Sequence, residues 1–208
     1  MHFIEEVPMS RSYFYRSIVP ILLFIGMTVP AVAGEPTEKI RQTTDKILSI
    51  LGNPALRDPS RAKERRKLIR SAIDERFDWE EMVRRSLATH WAKRTPEEKK
   101  EFLRLFSDLL ERAYMGKIEE YSGEKVRYEG EAIDGEYAAV KVNIATKKNK
   151  DIPVEYRLKK DRNDWFVYDV SVEGVSLVNN YRTQFNSIIL ESSYENLVKK
   201  IKEKLAQK

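Results

Sequence analysis

The chain of 208 residues contains no cysteine. Disulfides, thiolate metal centres, cysteine nucleophiles and a lipid-modified N-terminal cysteine are therefore excluded, and the fold must rest on its apolar core. Histidine occurs twice, as His2 and His90, which makes a zinc site improbable. The eight glycines are scattered singly, so the sequence has no phosphate-binding glycine loop.

Few arrangements of catalytic side chains remain. A Ser-His-Asp site would have to use His90, and no glycine-flanked serine elbow is present. Asp169 is the one acid in the middle of a strong strand pattern, and it falls on the polar side, where we expect a structural pair with Arg182. We therefore predict no enzyme, no catalytic residue, no metal and no cofactor. A hydrolase that uses His90 is the alternative from a different class.

The N-terminal segment has the order of an export signal. Arg11 and Arg16 precede an apolar run, and Ala31-Val32-Ala33 supplies small residues at −3 and −1 of a cleavage site. We predict a cleaved signal peptide over residues 1–33 and one domain over residues 34–208. A membrane anchor is the alternative, but the run is broken by prolines and is shorter than the ~20 residues that a span needs.

Two further features bear on the exported chain. Glu5 and Glu6 are unusual before such a leader, so translation from Met9 is an alternative to Met1. The formal charge is +5, which outside the cytoplasm suits an anionic membrane surface or acidic proteins rather than nucleic acid. The basic runs at 61–70, 147–150 and 199–204 are most often solvated faces; docking surfaces are the bolder interpretation.

Apolar residues recur at helical spacing before residue 123 and again after residue 175. Between them the period is two, which predicts strands that begin near Val126, Tyr137, Ile152 and Asp164. The fourth strand alternates Phe166, Tyr168, Val170 and Val172 on one side with Trp165, Val167, Asp169 and Ser171 on the other. A helix follows across Glu173-Gly174, with Val175, Val178, Phe185 and Ile188 on one stripe.

This order of elements predicts an α+β fold with a four-stranded antiparallel curved sheet, helices packed on one side and an NTF2-like overall shape. Large apolar faces of sheet and helices then meet. They form either a filled core or an apolar pocket between sheet and helices, and alternation alone does not decide between the two.

Two stretches resemble the MlaC family, the periplasmic phospholipid-binding components of the Mla (toluene-tolerance) system of Gram-negative bacteria. The first is Trp165-Phe-Val-Tyr-Asp-Val-x-Val-Glu-Gly-Val-Ser-Leu-Val-x-Asn-Tyr-Arg-x-Gln-Phe185. The second runs from Phe77-Asp-x-x-x-Met82 through Leu87 and Trp91 to Thr95-Pro-Glu-Glu-Lys and Glu101-Phe102. Ala88 departs from the glycine that relatives often have at that position.

The resemblance implies a periplasmic carrier, an auxiliary component of an ABC transporter. Such a carrier shuttles phospholipid between the outer-membrane Mla lipoprotein complex and the inner-membrane Mla ABC transporter complex and so maintains outer-membrane lipid asymmetry. It also implies a pocket that encloses acyl tails and leaves the headgroup in water. We expect a monomer with phospholipid as cargo. The alternatives are a carrier for another lipid, such as hopanoids, and a structural adaptor with a solid core.

For the tail pocket we predict walls from strands two to four, the long helix after Pro96 and the helix after Val175. The predicted lipid-binding residues combine large aromatic side chains with strand and helix valines: Phe106, Tyr114, Val142, Tyr156, Tyr168, Val178, Tyr181 and Phe185.

Overall fold

The computed structural model describes residues 34–121, 123–145 and 151–207. The predicted signal peptide, Met9 and the basic run 147–150 lie outside the described residues. The helices are α1 (Glu35–Gly52), α2 (Ala62–Asp74), α3 (Trp79–Leu87), α4 (Pro96–Glu119), α5 (Leu177–Glu191) and α6 (Tyr194–Ala206). Across the described ranges, no helix combines the length and the apolar character needed to cross a membrane.

Helix starts coincide with residues whose side chains accept backbone N–H groups. Thr95 and Glu98 form a reciprocal capping box at α4. Asp78 caps α3 by accepting from the Glu81 N–H, and Ser176 caps α5. At α6 the cap is Ser193, which accepts from the Asn196 N–H.

The sheet has the order β1-β2-β3-β4-β5 and every pairing is antiparallel. The strands are β1 (Lys125–Asp134), β2 (Tyr137–Ala145), β3 (Asp151–Asp161), β4 (Asp164–Val172) and β5 (Val175–Ser176). The predicted α+β class with an antiparallel sheet is confirmed. The count of four strands is wrong, because the two residues after the Glu173-Gly174 turn pair back onto β4 before α5 begins.

The predicted faces of β4 are also wrong, and a β-bulge is the reason. Arg157 of β3 pairs with Asp169 while its neighbour Leu158 pairs with Val167, so Tyr168 is an extra residue in β4. The alternation therefore shifts by one residue. Trp165, Val167, Val170 and Val172 share the inner face, whereas Tyr168 stays on the outer face.

The apolar interior is divided into two clusters. The helix core joins α3, α4, α5 and α6 around the fully buried Phe102 and Phe106. The sheet core joins the inner face of the sheet to Ile40 of α1 and Leu177 of α5. Phe77 and Tyr114 contact both cores. These two residues therefore connect the helix core to the sheet core.

Asp169 holds the junction between β4 and α5. Its carboxylate accepts from the Ser176 hydroxyl at 2.6 Å and from the Val178 N–H at 3.1 Å, and its residue is 4% exposed. The predicted pair with Arg182 is wrong, since Arg182 donates to Asn179 and the cation nearest to Asp169 is Arg157, at 3.8 Å. The bulge at Tyr168 turns Asp169 toward the start of α5.

Ala88, just after α3, has a conformation that favours glycine, with φ 47° and ψ −123°. Such a conformation costs an alanine on the order of 1–3 kcal/mol. We expect Ala88→Gly to stabilise the protein by about 1 kcal/mol, which raises the melting temperature by roughly 2–4 °C in thermal unfolding. Ala92→Gly, in the following 3₁₀ turn, is the control and should lower the melting temperature. A lower melting temperature for Ala88→Gly would contradict the strain.

Candidate functional site

A cavity of about 680 Å³ lies between the sheet and the helices α1, α2 and α4. Its sheet wall consists of Val126, Ile144, Ile152, Val154, Tyr156, Val170 and Val172. Its helix wall includes Ile40, Ile47, Leu48, Leu51, Ile73, Leu110, Tyr114, Met115 and Ile118. The exposed residues Lys117 and Glu120 also line it, so the cavity reaches the surface.

The wall from α1 shows how the sequence produces the hollow. Ile40, Ile47, Leu48 and Leu51 follow helical spacing and form one apolar stripe. Ile40 is 2% exposed and packs into the sheet core. The other three remain half-buried because they face the cavity rather than other side chains. An apolar stripe that lacks packing partners is a surface to which an apolar ligand can bind.

Two tyrosines bring polar groups to this wall. Burial raises the pKa of Tyr114, and burial, with a smaller effect of the neighbouring Tyr128, raises the pKa of Tyr156 to about 12. Both hydroxyls are therefore neutral near pH 7. They can donate one hydrogen bond each without placing a charge in the cavity.

Ion pairs join α2 to α4 beside the opening. Arg70 donates to Glu111 at 2.5 Å, and both residues line the cavity. Glu119 accepts from Arg65 and from Arg66, each with a nitrogen at 2.8 Å. Burial by itself raises the pKa of Glu119, but the hydrogen bonds from Arg66 and Arg65 outweigh it and hold the pKa below its usual value. We call these three ion pairs, Arg65–Glu119, Arg66–Glu119 and Arg70–Glu111, the α2–α4 straps.

The straps also bear on the basic run at 61–70. Arg61 pairs with Glu64, and Arg70 pairs with Asp74 as well as Glu111. Most of this charge is thus neutralised by neighbouring carboxylates. This pairing weighs against the interpretation of the run as a docking surface.

Two of the eight predicted lipid-binding residues, Tyr114 and Tyr156, lie on the cavity wall. The other six lie outside its described lining. Phe106, Val178 and Phe185 are buried in the helix core, and Tyr181 packs against it with ring centroids 5.4 Å from those of Phe106 and Phe185. The side chains of Val178, Tyr181 and Phe185 on α5 therefore pack among helices, with Phe106 of α4 as a neighbour, rather than on the cavity wall.

The remaining two predicted residues lie on the sheet. Val142 belongs to the sheet core, paired with Tyr128 and Val154, and is 3% exposed. Tyr168 lies on the outer face, where the guanidinium of Arg85 stacks 4.1 Å from its ring centroid. The bulge explains why Tyr168 lies on the outer face of the sheet rather than on the predicted cavity wall.

Sequence reasoning missed the contribution of α1. Its stripe was evident from spacing, but the pairing of that stripe with the sheet depends on contacts distant in sequence. One such contact is Glu131 of β1, whose carboxylate accepts from the Thr37 N–H at 2.9 Å and from the Thr37 hydroxyl at 2.6 Å. Because Gly34 offers no capping side chain, Glu131 caps α1 from the sheet and fixes α1 over it.

His90, the candidate for a hydrolase, lies away from the cavity. Its Nε2 is 3.0 Å from Oδ1 of Asn186, so the ring links the turn after α3 to α5. Within the part of the chain that the structure describes, no three His, Asp or Glu side chains come together to hold a metal ion. This geometry supports a structural contact for His90.

Comparisons with known proteins agree with one another. The family model described as MlaC protein matches residues 41–203. The chain is 21% identical over 178 residues to the intermembrane phospholipid transport system binding protein MlaC of Haemophilus influenzae, with 83% of each protein covered. Its fold is similar to that of a phospholipid-binding protein from Ralstonia solanacearum, solved in complex with a phospholipid at 1.53 Å. That match has a TM-score of 0.75 at 25% identity and covers 84% of this chain and 98% of the other.

Proposed function

Because the chain belongs to the MlaC family, we propose that it is a phospholipid carrier whose cavity encloses the acyl tails of its cargo. The observation that carries this proposal is the apolar hollow of about 680 Å³ between the inner face of the sheet and α1, α2 and α4. The phospholipid in the similar structure from Ralstonia solanacearum supports the class of cargo.

The size of the cavity fits this role. Taking a methylene as about the size of a water molecule, ~30 Å³, the hollow holds roughly 20 such groups, which is one ordinary acyl chain and part of a second. Removing ~20 methylenes from water is worth about 16 kcal/mol. An exposed apolar patch shields one side of a chain only, whereas an enclosed cavity removes the whole chain from water. The phosphate stays outside, since its desolvation is costly.

The route of transport follows from the family and from the predicted leader. We propose that the mature protein, residues 34–208, works in the periplasm after the signal peptide is removed. There it shuttles phospholipid between the outer-membrane Mla lipoprotein complex and the inner-membrane Mla ABC transporter complex and so maintains lipid asymmetry. A monomer with helices over one side of an NTF2-like sheet is the form that we expect to act.

The cargo can be identified directly. The full chain is produced with its leader, purified from the periplasm without detergent, extracted with organic solvent and analysed by mass spectrometry. We expect about one molecule of a glycerophospholipid per protein. The intact mass should correspond to a chain that begins at Gly34. A stoichiometric hopanoid would replace phospholipid as cargo on the same fold. A protein free of lipid would contradict the carrier and favour a structural adaptor.

A further inference from the structure

Helix α2 is attached to the rest of the molecule differently from the other helices around the cavity. None of its described residues belongs to the helix core or the sheet core. It packs against α1, and its own buried side chains are Ile69 and Ala72. Helix α2 is joined to α4 by the α2–α4 straps and by a longer pair between Arg70 and Asp108, at 3.5 Å.

The straps lie beside the cavity opening. Arg70 and Glu111 face each other across the cavity lining, and Glu119 lies between the lining residues Ile118 and Glu120. The Glu119 side chain is 12% exposed, whereas those of Arg65 and Arg66 are 18% and 54% exposed, so these ion pairs are partly open to water. Toward the other side of α2, Lys46 of α1 pairs with Glu75 just beyond the helix end at 2.6 Å.

Helix α1, against which α2 packs, is anchored at one end. Its first turns are held on the sheet by Glu131 and by the buried Ile40. Its last turns carry Ile47, Leu48 and Leu51, which face the hollow and have no such anchor. The start of α1 is therefore the anchored end of this helix, and α2 packs against α1.

Ion pairs suit a seam that must open. Separating an apolar seam exposes apolar surface to water, a cost proportional to area. Separating an ion pair returns each charge to water, which regains its hydration, so partly exposed pairs are worth little net. Separating α2 from α4 would make a path for a lipid tail and would leave the helix core and the sheet core packed.

We propose that α2 is a gate, latched by the α2–α4 straps, through which acyl tails enter and leave the cavity. The proposal rests on the proposed carrier function and adds the route and the residues that set its rate. Because the straps join α2 to α4 at the opening, breaking them changes how fast lipid exchanges with a membrane.

The test measures transfer of a phospholipid labelled with a fluorophore on one acyl chain. The labelled lipid is loaded on the mature protein and mixed with acceptor vesicles of phosphatidylethanolamine and phosphatidylglycerol. We expect transfer to be roughly threefold faster in Glu111→Gln and about tenfold faster in Glu119→Gln, which weakens two guanidinium contacts. Salt at about 1 M, where the Debye length is ~3 Å, should accelerate transfer by the wild type more than transfer by the double variant that combines Glu111→Gln with Glu119→Gln.

Glu101→Gln is the matched control. Glu101 is also an α4 carboxylate paired to another helix, with Lys202 of α6 at 2.7 Å, but it lies outside the cavity lining. Its transfer rate should equal that of the wild type. Lipid content and thermal unfolding of each variant show that it is loaded and folded. Wild-type rates in loaded Glu111→Gln and Glu119→Gln would overturn the gate, whereas an absence of lipid in the wild type would contradict the carrier function itself.

Discussion

Leu48→Glu is expected to reduce retained phospholipid to less than about a tenth of the wild-type amount. Leu48 lies in the fourth turn of α1 and lines the cavity. Desolvating a carboxylate costs several kcal/mol, and 1.4 kcal/mol already corresponds to a tenfold change in affinity. The new carboxylate keeps water in the hollow and excludes the tails. Lipid content is measured by solvent extraction of the purified protein.

Ser49→Glu is the matched control for this change. Ser49 is the next residue on the same helix and is exposed, so its replacement adds the same charge outside the cavity. Its lipid content should match the wild type. Equal lipid in the Leu48→Glu protein, with normal thermal unfolding, would remove α1 from the cargo site.

Asp169→Ala should have the largest effect on stability. The change removes the acceptor of the Ser176 hydroxyl and of the buried Val178 N–H, and so disorders the cap of α5. Loss of a charged acceptor and of a helix cap costs about 2–4 kcal/mol. At roughly 2–4 °C for each kcal/mol in a protein of this size, the melting temperature should fall by about 4–16 °C.

Arg182→Gln serves as the control for Asp169. Arg182 is exposed and contacts Asn179 rather than Asp169. Its replacement should change the free energy of unfolding by no more than about 0.5 kcal/mol. A large loss of stability in Arg182→Gln, or none in Asp169→Ala, would show that the junction is held in another way.

Local signals in the sequence were sufficient for most elements. Thr95-Pro-Glu-Glu predicts the start of α4, and the structure has the full capping box there. The change from a period of 3.6 to a period of two near Val126 predicts the strands, and β1 begins at Lys125. These signals depend on residues within one or two turns of each other, and short-range chemistry determines them.

The cavity wall was harder to predict because it depends on tertiary contacts. A single extra residue at Tyr168 reverses the alternation of β4, and nothing in a period of two announces a bulge. The spacing of α5 predicts that its apolar stripe faces the pocket beside the sheet, but Phe185 packs in the helix core. Amphipathic spacing identifies which side of a helix is apolar, whereas the partner of that side is set by the whole fold.

The central claim is that lipid tails occupy the hollow between the sheet and α1, α2 and α4. Its most direct test is photo-crosslinking with a phospholipid that carries a diazirine at the end of one acyl chain, followed by mass spectrometry of the labelled peptides. The account predicts labels on Leu48 and Leu51 of α1, on Ile152 to Tyr156 of β3 and on Val170 to Val172 of β4. Labels confined to Tyr181 and Phe185 of α5 or to the outer face around Tyr168 would contradict it.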